Sequence, residues 1–297
     1  MDVLLPVTFA AAQLTATTAT DSTAAYNAGT TYALGAEVYV LTRRYESLQN
    51  GNLAHDPASS PTWWVDIGPL NQYAMFDTTI STQTTDTTAL DVEITPGAVV
   101  EAIAFLNVTG ATLLTVNVYD HGTPGETLVY TETIDLDTSD VFDWYSYFFA
   151  PFEYRNDVVL TGIPPYSACV IEAEFDGGSI AVGAMIYGRM ASLGTHTLGT
   201  KIGIRDYSVK SEDDFGNTVF TERAFSRRMG ASVFCSNVFL PNIYRQLSEI
   251  RAVPTVWIGS TEAQFAPMIQ YGYAKDWNID VQYRDYSLLS IDIEGLT

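Results

Sequence analysis

Residues 99–119 read VVEAIAFLNVTGATLLTVNVY. Two alternating patterns lie in this stretch, 99–108 and 112–119, and in the second Leu114, Val116 and Val118 are interleaved with Thr115, Asn117 and Tyr119. Side chains of a strand point alternately to its two faces, so this spacing predicts strands with one apolar face. The same pattern returns on either side, at 89–94 (ALDVEI), 127–134 (TLVYTETI), 146–152, 157–160, 168–175 and 180–187. Turn residues punctuate it: TPG at 95–97, HGTPGE at 121–126, GIPPY at 162–166 and DGG at 176–178. Short strands with turns between them and no helical periodicity predict a central antiparallel β-sandwich of jelly-roll type over residues 71–195.

Two further segments flank this one. Residues 1–70 are expected to form a small β module with a leading strand. There Tyr26, Tyr32, Tyr39 and Tyr45 alternate with Gly29, Gly35 and Gly51 ahead of Pro57, Pro61 and the pair Trp63-Trp64. Tyr32, Val38, Tyr45 and one tryptophan are expected to fill its interior. Residues 196–297 read as an α+β domain with strands at 218–225, 231–238, 253–259, 268–274, 276–285 and 286–295. Its one convincing helix is 240–252, where Ile243, Leu247 and Ile250 share a face and Pro241 stands near the start. The predicted class is therefore mainly β.

The chain has 297 residues, 47% hydrophobic and 16% charged, which excludes a disordered polypeptide. Its net charge of −21 is uneven. Residues 1–195 hold 4 basic and 23 acidic side chains, net −19, whereas residues 196–297 hold 10 and 12, net −2. Neutralising a polyanion needs Lys and Arg, so no nucleic acid partner is expected. The nearly neutral third segment is where subunit contacts are expected. No run of 18 apolar residues occurs, so no membrane span is predicted, and residues 1–16, without a basic start and interrupted at Pro6, do not read as a signal peptide. Cys169 and Cys235 lack metal or disulfide-framework spacing and are expected to be buried free thiols.

No nucleophile elbow, phosphate loop, dinucleotide fingerprint or zinc signature is present, so no catalytic residue, metal or cofactor is assigned and the chain is not read as an enzyme. His55, His121 and His196 each stand beside turn residues. Asp135, Asp137, Asp140 and Asp143 form an oxygen-rich run, but it lacks the fixed spacing and glycine of a calcium loop and reads as a solvated acidic loop. Glu212, Asp213 and Asp214 read the same way. Flat aromatic rings stack on the C–H faces of sugars, which makes Tyr26, Tyr39 and Trp64 candidate glycan platforms, with Asn50, Asn52 or Asp66 as polar neighbours. The basic side chains Arg43, Arg44, Arg223 and Arg227 are candidate contacts with a carboxylate-rich neighbouring subunit.

Tyr32, Gly35, Val38, Tyr45, Pro57 and Trp63 or Trp64 follow a pattern that resembles the small carbohydrate-binding modules of bacterial chitinases. Tyr26 stands where those modules usually have their first tryptophan. The continuation WWVDIGPLNQYAMFDTTISTQT, residues 63–84, is similar to a segment of virion proteins of tailed bacteriophages. Pro254, Trp257, Gly272, Trp277 and the terminal IEGL also resemble the ends of phage tail proteins. The resemblance implies a non-enzymatic tail or baseplate component that connects or decorates. It also implies assembly in the host bacterial cytoplasm as a trimer or ring with other tail and baseplate proteins, and possible contact with cell-surface glycan. A secreted carbohydrate-binding protein, or the non-catalytic part of a polysaccharide-degrading enzyme, is the alternative.

Overall fold

Two long strands, Ala102–Asp120 and Cys169–Ser192, organise the chain and pair antiparallel along most of their length. The computed structural model describes residues 1–120, 127–137, 143–149, 154–197, 199–212, 217–260 and 263–296. The breaks expected at 109–111 and 176–179 are not turns. Each strand continues through its break as a bulge, with register shifts around Ala111. Gly110 adopts φ +76° and Ser179 φ +55° there. A Cβ on Gly110 would stand 2.3 Å from the Ser179 carbonyl oxygen, and one on Gly177 would stand 2.2 Å from that of Gly110. Only glycine admits so close an approach of two backbones.

Bulges increase strand twist, and here they turn the pair back on itself so that its two halves contribute to opposite layers. Phe105 of one half meets Phe175 of the other edge to face, ring centroids 5.2 Å apart. The first layer runs Leu14–Thr17, Ala89–Ile94, residues 169–177, residues 111–120 and Thr127–Asp135. The second runs Val158–Thr161, residues 102–109 and residues 180–192, whose far edge pairs with Thr84–Asp86 and Asp2–Pro6. Between them Leu90, Val92, Ile94, Leu114, Val116 and Ile171 interdigitate with Ile103, Phe105, Ile180 and Val182, all buried. Each contributes about 1.5–3 kcal/mol by leaving water.

The first strand does not belong with the small module that follows it. Asp2–Pro6 pairs on one side with Cys169–Ser192 and on the other with Thr255–Ile258, joining the sandwich to the C-terminal segment in one continuous sheet. Its alternation sends Val3 into the C-terminal core and Leu4 into a small core on the opposite face with Ala102, Ala104 and Val256. The Met1 ammonium donates to the Gly194 carbonyl at 2.8 Å.

Beyond it the sheet runs Thr255–Ile258, Ile269–Asp280, Tyr286–Gly295 and Phe225–Ser236. The expected helix is present as Leu240–Glu249 and buries Ile243 and Leu247 beside Trp257 and Leu289. The separate strands expected at 268–274 and 276–285 are one strand with an irregularity between Ala274 and Asp276. The strand expected at 218–225 ends at Thr221, and a new one opens at Phe225. The strand expected at 146–152 is instead the short helix Trp144–Phe149, with the rest outside the described residues. Aromatic residues favour strands in general, but rings four positions apart also pair on a helix, and Trp144 with Phe148 and Tyr145 with Phe149 do so at 6.4 and 5.0 Å.

Candidate interaction surfaces

The small module is a four-stranded sheet ordered Ala24–Ala25, Glu37–Val40, Arg43–Ser47 and Trp64–Pro69. Val38 and Trp64 fill its interior at 1% and 2% exposure. Trp64 is thus no platform for a sugar. Its indole N–H donates to the His55 carbonyl at 2.8 Å, and its ring meets Tyr26 and Tyr32 edge-on at 5.9 and 5.2 Å. Strand alternation turns Val65 outward in its place. Tyr26 is half-buried and its hydroxyl is enclosed, with no hydrogen-bond partner among the described residues, so its polar end faces the module. Burial, followed by Tyr32 and Asp56, raises its pKa.

Tyr39 remains half-exposed, directly across from Arg44. The flat surface that the sequence did not single out is Trp63 stacked on His55, centroids 3.9 Å apart and 11° from parallel. His55 Nδ1 lies 3.0 Å from Asn52 Oδ1, and buried Asn52 donates to Ser47 Oγ and to the Trp63 carbonyl, which holds the pair in place. Which of two adjacent tryptophans points outward depends on where the strand begins, and Trp63 precedes it.

The four candidate arginines divide. Arg43 is spent inside the module on an ion pair with Asp66. Arg44 faces an open cleft of about 380 Å³ between module and sandwich, together with Asp21, Asn71 and Gln83. Asn71 closes that junction: its amide donates to the Thr20 and Thr85 carbonyls and accepts from the Thr85 backbone. Arg227 pairs with Asp157 of the sandwich at 2.5 Å. Arg223 is exposed and has no ion pair among the described residues.

Arg223 sits on a projecting arm. Lys201–Asp206 pairs with the first half of Phe225–Ser236, and beyond it Val209–Glu212 and Thr218–Thr221 form a two-stranded ribbon. Between Lys201 and Phe225 every described residue except Ser208 is exposed, including Ile204 at 64% and Phe220 at 74%. The base of the arm is clamped. Glu294, nearly buried, accepts from Lys275 and Arg205, each at 2.9 Å, and from the Tyr207 hydroxyl at 3.3 Å. Lys275 and then Arg205 hold this carboxyl below its usual range against the opposing effect of burial. Two-stranded ribbons are marginal in water, and exposed apolar patches mark contact sites.

The outer face of the first sandwich layer has the opposite charge. Asp91 stands directly across from Glu174, and Glu93 from Glu172, with Asp176 beside them. Burial, then the surrounding carboxylates, raise the pKa values of Asp91 and Glu174. The helix Trp144–Phe149 adds an aromatic patch in which Trp144, Tyr145, Phe148 and Phe149 are 65–80% exposed.

Among the described residues no group of His, Cys, Asp and Glu could hold a metal ion. Asp140, Asp213, Asp214 and His121 lie outside the described residues. Both cysteines are free and buried, and burial raises their thiols. No described helix is long and apolar enough to cross a membrane. Comparison with family models, characterised proteins and solved structures found no match to this chain.

Proposed function

We propose that the chain is a structural subunit of a tailed-phage virion, in the tail or baseplate. In this reading it connects or decorates by assembling with copies of itself and with neighbouring tail proteins. The observation that carries the reading is the arm, 201–225, whose apolar side chains are exposed on a ribbon too thin to bury them. A subunit whose final environment is an assembly keeps such surface for its neighbours. The aromatic helix 144–149 and the similarity of residues 63–84 to virion proteins support the same reading. The test is mass-spectrometric identification of the chain in particles purified from a lysate of cells producing it. Its presence at multiple copies per particle is expected, and its absence from particles refutes the reading.

A second reading, contact with cell-surface glycan or a carbohydrate-binding protein outside any virion, is favoured by the Trp63–His55 surface. A glycan array on the intact protein and on Trp63→Ala tests it. Binding by the first and its loss in the second are expected if the surface takes sugar.

A further inference from the structure

We infer that the outward face of the C-terminal sheet holds a binding site for a neutral, hydroxyl-rich oligosaccharide, separate from the Trp63–His55 surface. A virion subunit and a free carbohydrate-binding protein could each carry such a site, so the inference does not depend on which reading above holds.

In this sheet Met229, Ala231, Val233, Leu289 and Ile291 turn inward to the core beneath the helix Leu240–Glu249. Strand alternation turns the residues between them the other way. Ser232, Ser290 and Asn278 form one row across three strands of that outward face, and Gly230, Asp292 and Asp276 form the next. Along these rows lie two adjoining cavities of about 230 and 280 Å³ that share Lys201, Gly230 and Asp292. Among the described residues the side chains of Ser232, Ser290 and Asn278 make no hydrogen bond, and Asp276 and Asp292 make no ion pair. Hydroxyl, amide and carboxylate groups thus stand free along the trough.

Both ends of the trough are built. At one end Tyr283 stacks on Tyr286 with centroids 4.5 Å apart and 23° from parallel, and Phe234 meets Tyr286 edge-on at 5.5 Å. All three rings are exposed. Asn237 fixes the turn that carries Tyr283: its amide donates to the Tyr283 and Arg284 carbonyls, each at 2.9 Å, and accepts from Ser287 Oγ. At the other end stands the Glu294 clamp, with the Arg205 guanidinium 5.3 Å from the centre of the Tyr207 ring. Six strand positions separate the row of Phe234 from that of Arg228, a span of roughly 20 Å.

The chemistry of this lining selects the occupant. Exposed flat rings take the C–H faces of a sugar, and unpaired hydroxyl, amide and carboxylate groups take its hydroxyls. Charges along the trough balance, with Lys201, Arg205, Arg228 and Lys275 against Asp276, Asp280, Asp292 and Glu294, so nothing there favours a polyanion. The two middle rows present no apolar side chain outward, whereas the buried centre of a protein interface is apolar and poor in charge.

The experiment probes the intact protein on a microarray of bacterial surface polysaccharides with maltohexaose, cellohexaose, chitohexaose and mannohexaose, and with hyaluronan and polysialic acid as acidic counterparts. The neutral oligosaccharide bound best is then titrated calorimetrically into wild type, Tyr283→Ala, the double variant Asn278→Ala with Ser290→Ala, and Trp63→Ala. Binding to a neutral glycan is expected to persist in about 0.5 M salt, where charges are screened within a few ångströms. Tyr283→Ala and the double variant should each weaken it on the order of 10-fold. Tyr283 and Asn278 are exposed and Ser290 is half-exposed, so both variants should keep the wild-type Tm. Trp63→Ala separates the two surfaces: loss of binding there, with full binding by both trough variants, assigns the sugar to the small module and refutes this site. Absence of any bound glycan, or binding confined to the acidic ones, also refutes it. Absence of the chain from purified particles refutes the virion reading and leaves this site standing.

Discussion

Replacing Gly110 with alanine perturbs the point at which the two long strands fold over each other. The new Cβ would lie 2.3 Å from the Ser179 carbonyl oxygen, 2.7 Å from that of Gly178 and 2.8 Å from the Ser179 carbonyl carbon. All three are backbone atoms, so no side-chain rotation relieves the contact. Holding alanine at φ +76° costs about 1–2 kcal/mol, and moving two packed strands apart costs about 1–3 kcal/mol more. The combined loss is about 2–5 kcal/mol, or roughly 5–15 °C in Tm for a chain of this size. Gly97 is the control: it adopts φ +65° with nothing within 4 Å of its added Cβ, so Gly97→Ala carries the backbone cost alone. Differential scanning calorimetry of both variants measures the difference. A Gly110→Ala protein that melts no lower than Gly97→Ala would refute the close-approach argument.

Trp64→Ala should destabilise the small module by about 3–5 kcal/mol, as truncation of a buried aromatic does, whereas Tyr39→Ala should leave its melting nearly unchanged; tryptophan fluorescence and thermal denaturation separate the two. Asp91 and Glu174 are raised in the folded chain, so their contribution to stability is complete below the unfolded carboxylate range and is lost as pH rises through the raised value. Asp91→Asn should therefore raise Tm at pH 7 by removing a repulsion of about 0.2–1 kcal/mol, and the gain should vanish near pH 4 or below. An equal gain at both pH values would show that charge is not its cause.

Elements whose pattern is local were legible in the sequence. ALDVEI forms a strand over the residues its alternation marks, Ala89–Ile94, with Asp91 and Glu93 outward, and Pro241 with Ile243 and Leu247 located the helix. Glycine-rich breaks were ambiguous, because Gly110 and DGG carry the same chemistry for a turn as for a bulge. Only the opposing strand, some 70 residues away along the chain, decides between them. For the same reason the partners of Asp2–Pro6 could not be read locally. The candidate site residues fared unevenly. Arg227 looks free until Asp157 is brought to it, and Trp64 looks as available as Trp63 until the start of the strand fixes which one points inward.

Zero-length carbodiimide cross-linking of a mixture of isotopically light and heavy protein tests the proposed assembly of the chain with copies of itself most directly, since it joins a lysine to a carboxylate only where the two touch and reports whether they come from different chains. The expected result is mixed-isotope cross-links that include Lys201 or Lys210 of the arm. Cross-links confined to single chains, or mixed-isotope cross-links that all avoid the arm, would contradict it.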